Sequence, residues 1–480
     1  MNVKTWFVRS VLLLAGIGLI GCASVVPPSA IPEATKKYAS SAEPTPAATS
    51  AGLRLGTPAR FWWREFQDAH LDELVRQASE RNHDVQAALA TVREARALAG
   101  LAEREALPAG SLNVTAQRLR PATADVDYYE QGLPRPPARK LATVAQSVSW
   151  ELDLFGRIGT AAAMAERQAE MAAADAHAAM ALVQAEVVRH YVLLRRHQAE
   201  LAGLQAECDQ LKHRHLLLRA RFEGGVADPR EADAAEGEWH QSMAEQASMR
   251  FLIAQEQGAL AVLTGRSPTY QDVAWADLLA PGELPAVPDS ASLVQPADLL
   301  ARRPDVVRAD AALRASLGEV VLAERAHLPR ISLNALAGIS SRIGDLGGAG
   351  ALRHAFTPTL QWDWLNSGRL QAKEAAARAG SERNWHLFEQ TVLKAIEDSE
   401  NALRAWIAAL DASLHADRGE RVSSEAARYA QIRSDTGLES HAQSLELGIL
   451  HSKTQREKAA RRADALLAYT RVQLALAAWQ

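Results

Sequence analysis

The chain has 480 residues, 48% hydrophobic, 23% charged and 5% aromatic, with 53 basic against 57 acidic side chains for a formal charge of -4. That balance excludes a broadly basic nucleic-acid binder, and the apolar content excludes intrinsic disorder. Two cysteines, Cys22 and Cys208, are too few for a disulfide scaffold or a cysteine-based structural zinc site.

The chain opens with Lys4 and Arg9 and then an apolar run from Val11 to Ile20. A basic start followed by ~10 apolar residues predicts a secretory signal over residues 1–21, too short to span a bilayer. The exit Leu19-Ile20-Gly21-Cys22 resembles the bacterial lipobox. That resemblance implies cleavage before Cys22, lipidation of its thiol and a tethered, periplasm-facing protein. Ala23 stands where an aspartate would imply retention at the inner membrane, so outer-membrane sorting is implied. An ordinary signal with an incidental cysteine ranks below this reading. Loss of Lys4 and Arg9 takes the mature charge from -4 to -6. Residues 22–58 carry Pro27, Pro28, Pro32, Pro44 and Pro46 among Ala, Ser and Thr, the composition of a flexible or extended tether. No later segment has ~18 uninterrupted apolar residues, so no transmembrane helix is predicted.

From residue 59 the chain is an internal duplication, with copies at 59–283 and 284–480. A shift of 221 aligns Asp84–Val114 with Asp305–Ala335 without a gap, and 14 of those 31 positions are identical. Further on the shift becomes 212, placing Trp150 on Trp362, Gly156-Arg157 on Gly368-Arg369, and Gly225 on Gly437. Each copy repeats one order of signals. A helical stretch runs to Pro108 or Pro329, and a segment alternating apolar and polar residues follows: Leu112, Val114 and Ala116 in the first, Ile331 to Ile339 in the second. A polar or glycine-rich loop comes next, over 118–140 or 341–354. A second alternating segment places Val144, Val148, Trp150, Leu152 and Leu154 on one face, and Phe356, Leu360, Trp362 and Trp364 in its counterpart. Period two predicts strands, four per chain. After Gly156-Arg157 the texture is Ala, Glu, Gln, Arg and Leu without proline to Phe222, and Pro358 is the last proline of all. Such runs predict very long helices, on the order of 90 Å at 1.5 Å per residue. Gly224-Gly225 and Gly437 then mark tight turns into returning helices.

Four strands cannot form a free sheet in lipid, because open edges leave backbone groups unsatisfied, and the smallest bacterial barrels use about eight. Several chains must then pool their hairpins. Periodicity alone leaves open a soluble antiparallel sheet capping a helical bundle; the lipoprotein address favours the membrane, and the tryptophans suit interfacial belts.

Several motifs together resemble the outer-membrane efflux protein (TolC-like) family, in its lipoprotein (NodT) branch. They are Trp62-Trp63-x-x-Phe66-x-Asp68-x-x-Leu71-x-x-Leu74, Glu151-Leu152-Asp153-Leu154-Phe155-Gly156-Arg157, Leu260-x-x-Leu263-x-Gly265-Arg266-x-Pro268, and Leu299-Leu300-x-Arg302-Arg303-Pro304-Asp305-Val306. The resemblance implies an α+β membrane protein: a homotrimer with a twelve-stranded outer-membrane β-barrel and long helical hairpins forming a periplasmic α-barrel. Its implied partners are a periplasmic adaptor (membrane fusion protein) and an inner-membrane transporter of the RND type, the whole expelling drugs or other small molecules. A periplasmic coiled-coil adaptor lipoprotein is the alternative, but it should show one hairpin rather than two full copies.

Family analogy puts a constriction beside the glycine turns. Candidate gate or selectivity residues are Asp228, Arg230, Glu231, Glu439 and Glu446. Repeated around an axis, carboxylates would favour cations, and Arg230 would pair with neighbouring tips; the plainer reading is solvated helix ends. Adaptor docking is expected at Gly224, Gly225, Gly437, Leu438 and Ser440. Asp153 and Asp363 are expected to face the lumen near the barrel base, or to cap helices. His213 and His215 point to different helix faces, so no metal site is expected there. No catalytic or nucleotide-binding motif is present, and no enzyme activity or cofactor is expected.

Overall fold

The structure, a computed structural model, describes residues 29–38, 54–55, 61–120, 138–226, 228–269, 272–288, 290, 292–293, 296–343, 348 and 350–476. The signal segment, Cys22, most of the tether, Gly347 and Ala349 lie outside the described residues.

In chain order the elements are α1 (Ile31–Tyr38), a 3₁₀ turn (Trp62–Phe66), α2 (Ala69–Arg81), α3 (His83–Arg104), β1 (Ala109–Leu119), β2 (Arg139–Leu152), α4 (Arg157–Glu223) and α5 (Pro229–Leu263). Then come α6 (Val273–Leu278), α7 (Pro296–Arg302), α8 (Pro304–Arg325), β3 (Arg330–Arg342), β4 (Leu352–Gln361), α9 (Ser367–Asp435) and α10 (His441–Ala475). The duplication is visible in element lengths. Helices α3 and α8 have 22 residues each, α5 and α10 have 35 each, and α4 and α9 have 67 and 69. Among the described residues no helix is long and apolar enough to cross a membrane.

The chain divides into two compact units. One comprises residues 93–171 and 311–386 and holds a four-stranded antiparallel sheet in the order β1-β2-β3-β4. Its register pairs Val114 with Val144, Val144 with Ile339, and Ile339 with Leu352. The strands intrude on the expected loops, reaching Leu119 and Arg139 in one hairpin and Arg342 and Leu352 in the other. At their other ends they stop short of the alternating pattern. Strand β2 ends at Leu152, so Asp153 and Leu154 belong to a junction, and β4 ends at Gln361 with Trp364–Asn366 in a 3₁₀ turn. Gly156, at φ +69°, turns the chain from strand to helix in the first copy, in a conformation that disfavours a Cβ.

The other unit, residues 30–92, 172–310 and 387–480, holds the main core. Helix α2 presents Leu71, Leu74, Val75 and Ala78, all buried, beside Trp62, Trp63 and Phe66 of the 3₁₀ turn. They pack with Val187, Val188, Tyr191 and Leu194 of α4, Leu260 of α5, Trp406 of α9, and Leu466, Tyr469 and Val472 of α10. Asp68 starts α2 by accepting from the backbone N–H of His70 (2.9 Å) and Leu71 (3.1 Å), and its other oxygen accepts from the Tyr191 hydroxyl at 2.6 Å. The Tyr469 hydroxyl donates to Glu65 in the same way. Edge-on ring contacts link Trp62 to Phe66 (6.0 Å) and Trp406 to Tyr469 (5.7 Å). The first family motif is therefore an aromatic plug plus a helix cap.

Candidate functional site: a two-faced sheet and a pair of helical turns

Cross-strand partners share a face of a sheet, so the register sorts the side chains. One face carries Leu112, Val114, Val144, Val148, Trp150 and Leu152 from β1 and β2, with Gln146 as a polar residue in mid-strand and the Arg118–Lys140 pair at the loop end of the hairpin. It continues with Ile331, Leu333, Ala335 and Ile339 of β3 and Leu352, Phe356 and Leu360 of β4, where His354, opposite Ala337 and in line with Gln146, is the polar position. Leu112, Val114, Leu352, Phe356 and Leu360 are all more than 60% exposed, far more than a soluble sheet leaves on an apolar face. The opposite face is bound by hydroxyls and amides: Ser111 to Ser147 at 2.8 Å, Thr143 to Ser340 at 3.0 Å, Ser149 donating to the Asn334 amide oxygen at 2.9 Å, and the Asn334 amide donating to Thr359 at 3.3 Å. Among the described residues β1 and β4 each have one strand neighbour, so each presents an outer edge.

Below the sheet, the Glu151–Arg157 motif resolves into a strand-to-helix junction. The Asp153 carboxylate accepts from the backbone N–H of Ile158 (3.0 Å) and Gly159 (2.8 Å), capping the start of α4, where helix N–H groups lack partners. Arg157 bonds Glu151 in bidentate fashion at 2.9 and 3.0 Å. From α8, Arg325 donates to the Gly156 carbonyl and the Thr160 hydroxyl. In the second copy the shift of 212 puts Leu365 at the place of Asp153 and Asp363 at that of Glu151. Asp363 precedes the 3₁₀ turn, makes no side-chain cap bond, and accepts from Asn366 N–H through its carbonyl at 3.0 Å. The two aspartates named together in the sequence thus hold different posts.

The helical turns lie in the other unit and use one design twice. In the first, Gly225 (φ +75°) donates to the Phe222 carbonyl at 2.9 Å and Val226 to the Arg221 carbonyl at 2.9 Å. In the second, Gly437 (φ +72°) donates to Ser434 at 3.0 Å and Leu438 to Arg433 at 2.8 Å. These nested bonds form a Schellman cap, which satisfies orphan carbonyls at a helix end and requires a left-handed residue. Three residues after each glycine a side chain opens the returning helix. Asp228 accepts from Arg230 N–H (2.9 Å), with Pro229 in the first helical turn, and Ser440 accepts from Gln443 N–H (3.2 Å). Val226 and Leu438, related by 212, are 72% and 68% exposed, and no heavy atom lies within 4 Å of a Cβ built on Gly225 or Gly437.

Of the gate candidates, Arg230 pairs with Asp228 of its own turn at 2.6 Å, and that contact holds the Asp228 carboxyl below its ordinary range. Glu439 is largely covered and pairs with Arg433 at 3.2 Å. Glu231 is exposed in the first turn of α5, and Glu446 in the second turn of α10. Among the described residues no cluster of His, Cys, Asp or Glu is placed to hold a metal ion.

Residues 74–266 and 296–478 match the description "Outer membrane efflux protein", one match in each half. The chain belongs to the outer membrane efflux protein family. It is 29% identical to the fusaric acid resistance protein FusA of Burkholderia cepacia over 377 residues, covering 77% of this chain and 69% of that protein. It is 27% identical to the outer membrane protein OprJ of Pseudomonas aeruginosa, over 82% of this chain and 83% of the relative. In fold it is similar to the outer-membrane channel OprN (TM-score 0.79, 24% identity, 90% of this chain and 95% of the other). It is also similar to VceC of Vibrio cholerae (TM-score 0.74, 20% identity, 88% and 99%). As a member of that family it is an outer-membrane channel of efflux systems, and the family is one of channels rather than enzymes.

Some contacts of this efflux protein join residues that no local signal in the sequence connects. The Trp150 indole donates to the Ala106 carbonyl at 2.9 Å, and the Trp362 indole to the His327 carbonyl at 3.0 Å. Both pairs are related by the two duplication shifts, 221 for the carbonyls and 212 for the indoles. Matching the tryptophans across the copies was the available clue; their acceptors are visible only in three dimensions. Arg303, part of one of the motifs quoted above, is by contrast buried, and donates to the Ala395 (3.3 Å) and Ala475 (3.2 Å) carbonyls while pairing with Asp305 (2.8 Å) and Asp398 (3.3 Å).

Proposed function

We propose that this chain is the outer-membrane duct of a tripartite efflux system, carrying drugs or other small molecules outward without chemistry of its own. The observation that supports this best is the sheet, apolar on one face, hydrogen-bonding on the other, and bounded by two outer edges. In hydrocarbon such edges must pair, and identical copies offer the nearest match. Three copies pool twelve strands into a closed barrel whose apolar face meets lipid and whose hydroxyl and amide face meets water. The hairpins α4–α5 and α9–α10 of the same three copies supply twelve helices for a periplasmic barrel. Cys22 carries the lipid anchor.

At the far ends of those hairpins, the turns at Gly224, Gly225, Gly437, Leu438 and Ser440 receive a periplasmic adaptor, with Val226 and Leu438 as its apolar contacts. The adaptor links the duct to an inner-membrane transporter of the RND type, which supplies the energy. Asp153 and Asp363 stand near the lumen at the barrel base. Glu231 and Glu446, with Asp228, Arg230 and Glu439 behind them, ring the constriction. Relatives at similar identity are named for different compounds, fusaric acid, pyoverdine and toluene among them. That spread supports assigning choice of cargo to the transporter rather than to this chain. A single-hairpin adaptor fits poorly with a family match in each half.

Planar-bilayer recording tests the duct and its ring together. The protein is expected to form cation-preferring channels, and Glu231→Ala with Glu446→Ala to lower that preference or change the conductance. Absence of channels would reject the duct. Unaltered conductance and selectivity in the double variant would reject the ring.

A further inference from the structure

The corner where each helix enters its first strand is built around an indole. At Leu107-Pro108 and Leu328-Pro329 the chain leaves α3 and α8, and proline brings no N–H to bond a nearby carbonyl. The helix therefore ends there, its last carbonyls have no helical N–H ahead of them, and the Trp150 and Trp362 indoles donate to two carbonyls of this terminal turn, those of residues 106 and 327, at 2.9 and 3.0 Å. Both tryptophans fall on the apolar side of the strand pattern, Trp150 directly opposite Leu333 and Trp362 two residues after Leu360. The next residue after each bonded carbonyl is a leucine turned outward: Leu107 is 62% and Leu328 40% exposed. The rings stay open as well, at 37% and 54%.

A tryptophan at a membrane surface ordinarily keeps its N–H toward water or headgroups. Here that N–H is satisfied inside the protein, so the part of the ring left outward is wholly apolar. We infer that Trp150 with Leu107, and Trp362 with Leu328, form a duplicated corner that contacts phospholipid acyl chains, with each indole acting as a latch that positions its leucine. The occupant follows from continuity: the corner extends the apolar face of Val148, Trp150, Leu333 and Leu360 beyond the strand ends. The inference rests on the proposed membrane sheet and adds a depth to it, placing the corners below the headgroups rather than among them.

Spin labels test it on the full chain. Leu107→Cys and Leu328→Cys would each carry a nitroxide, in a Cys208→Ala background whose own labelling is subtracted. Phe356→Cys on the apolar strand face and Val226→Cys on a helical turn serve as lipid and water references. In phosphatidylethanolamine–phosphatidylglycerol vesicles, labels at 107 and 328 are expected to favour oxygen over a water-soluble nickel chelate, as Phe356→Cys does. Trp150→Phe should shift the label at 107, and Trp362→Phe the label at 328, toward the aqueous value, each leaving the other corner unmoved. Aqueous behaviour at 107 and 328 beside a lipid-exposed Phe356→Cys would overturn the corner while sparing the sheet. An aqueous Phe356→Cys would overturn the membrane sheet itself. Lipid-exposed corner labels that ignore both substitutions would overturn the latch, and the labels with intact tryptophans decide lipid contact even if a phenylalanine variant fails to fold.

Discussion

Arg303 illustrates how much of this protein rests on single side chains reaching far along the chain. Its guanidinium is buried and pairs with two carboxylates while donating to two helix carbonyls. Removing it takes a buried donor from two helix carbonyls, at a cost of ~1–3 kcal/mol, while Asp305 and Asp398 stay largely solvated and add little. Arg303→Ala should lower the melting temperature sharply, and Arg303→Lys should recover little, because an ammonium lacks the planar fork needed for all four contacts; full recovery by lysine would contradict this. Tyr469 and Tyr191 act in a parallel way. Burial first, and then the adjacent carboxylates Glu65 and Asp68, push both phenols above the ordinary value of 10.0. A raised folded-state value means the protonated phenol contributes stability that is complete below the unfolded value and is lost as pH climbs through the folded one. The stability gap between the unsubstituted protein and Tyr469→Phe, ~1.5–3 kcal/mol for a hydrogen bond to a charge, should therefore hold to about pH 10 and narrow above it. A gap that widens in alkali would refute the Glu65 contact. At this scale the sequence was least legible. The aromatic motif, the Glu151–Arg157 run and the Arg303 run stand out in it, but Glu65 and Tyr469 are 404 residues apart and nothing local joins them.

Elements were far easier to read, because each is specified twice. Period-two alternation locates all four strands, proline-free runs of strong helix formers locate the long helices, and the glycines locate both turns. Strand ends are where the reading overshoots. Leu154 and Trp364 continue the alternation in sequence, yet Asp153 and Gly156 divert the first copy into a capped helix and a 3₁₀ turn interrupts the second. The turns themselves allow a graded prediction. Gly225 and Gly437 adopt left-handed backbone with open space around a would-be Cβ, so alanine there should cost only the backbone penalty, ~1 kcal/mol. Gly265 shares that conformation, at φ +73°, but its Cβ would lie 2.7 Å from the Arg81 carbonyl oxygen. Gly265→Ala should be clearly the most destabilising of the three in thermal melts, and equal losses at all three would contradict the steric argument. The same contrast separates roles: a turn glycine with space around it is free to admit another chain, whereas Gly265 is committed to packing within this one.

For the molecule as a whole, duplication and membrane insertion are two sides of one constraint. A repeated hairpin gives four strands, which is enough to make a sheet with two distinct faces and too few to close one. The exposed apolar face and the outer edges of β1 and β4 are liabilities in a lone soluble chain, and both disappear when copies close around a common axis within lipid. Sequence alone brought this requirement into view through strand count and the lipoprotein address; it could not place the polar ladder from Ser111 to Thr359, which depends on register between strands from different halves. The most direct measurement is the molar mass of the detergent-solubilised protein, free of bound detergent, by light scattering or native mass spectrometry. Closure by sharing predicts a single species of three chains, each 51.9 kDa for the full 480 residues. A monodisperse single chain that retains its sheet would contradict it.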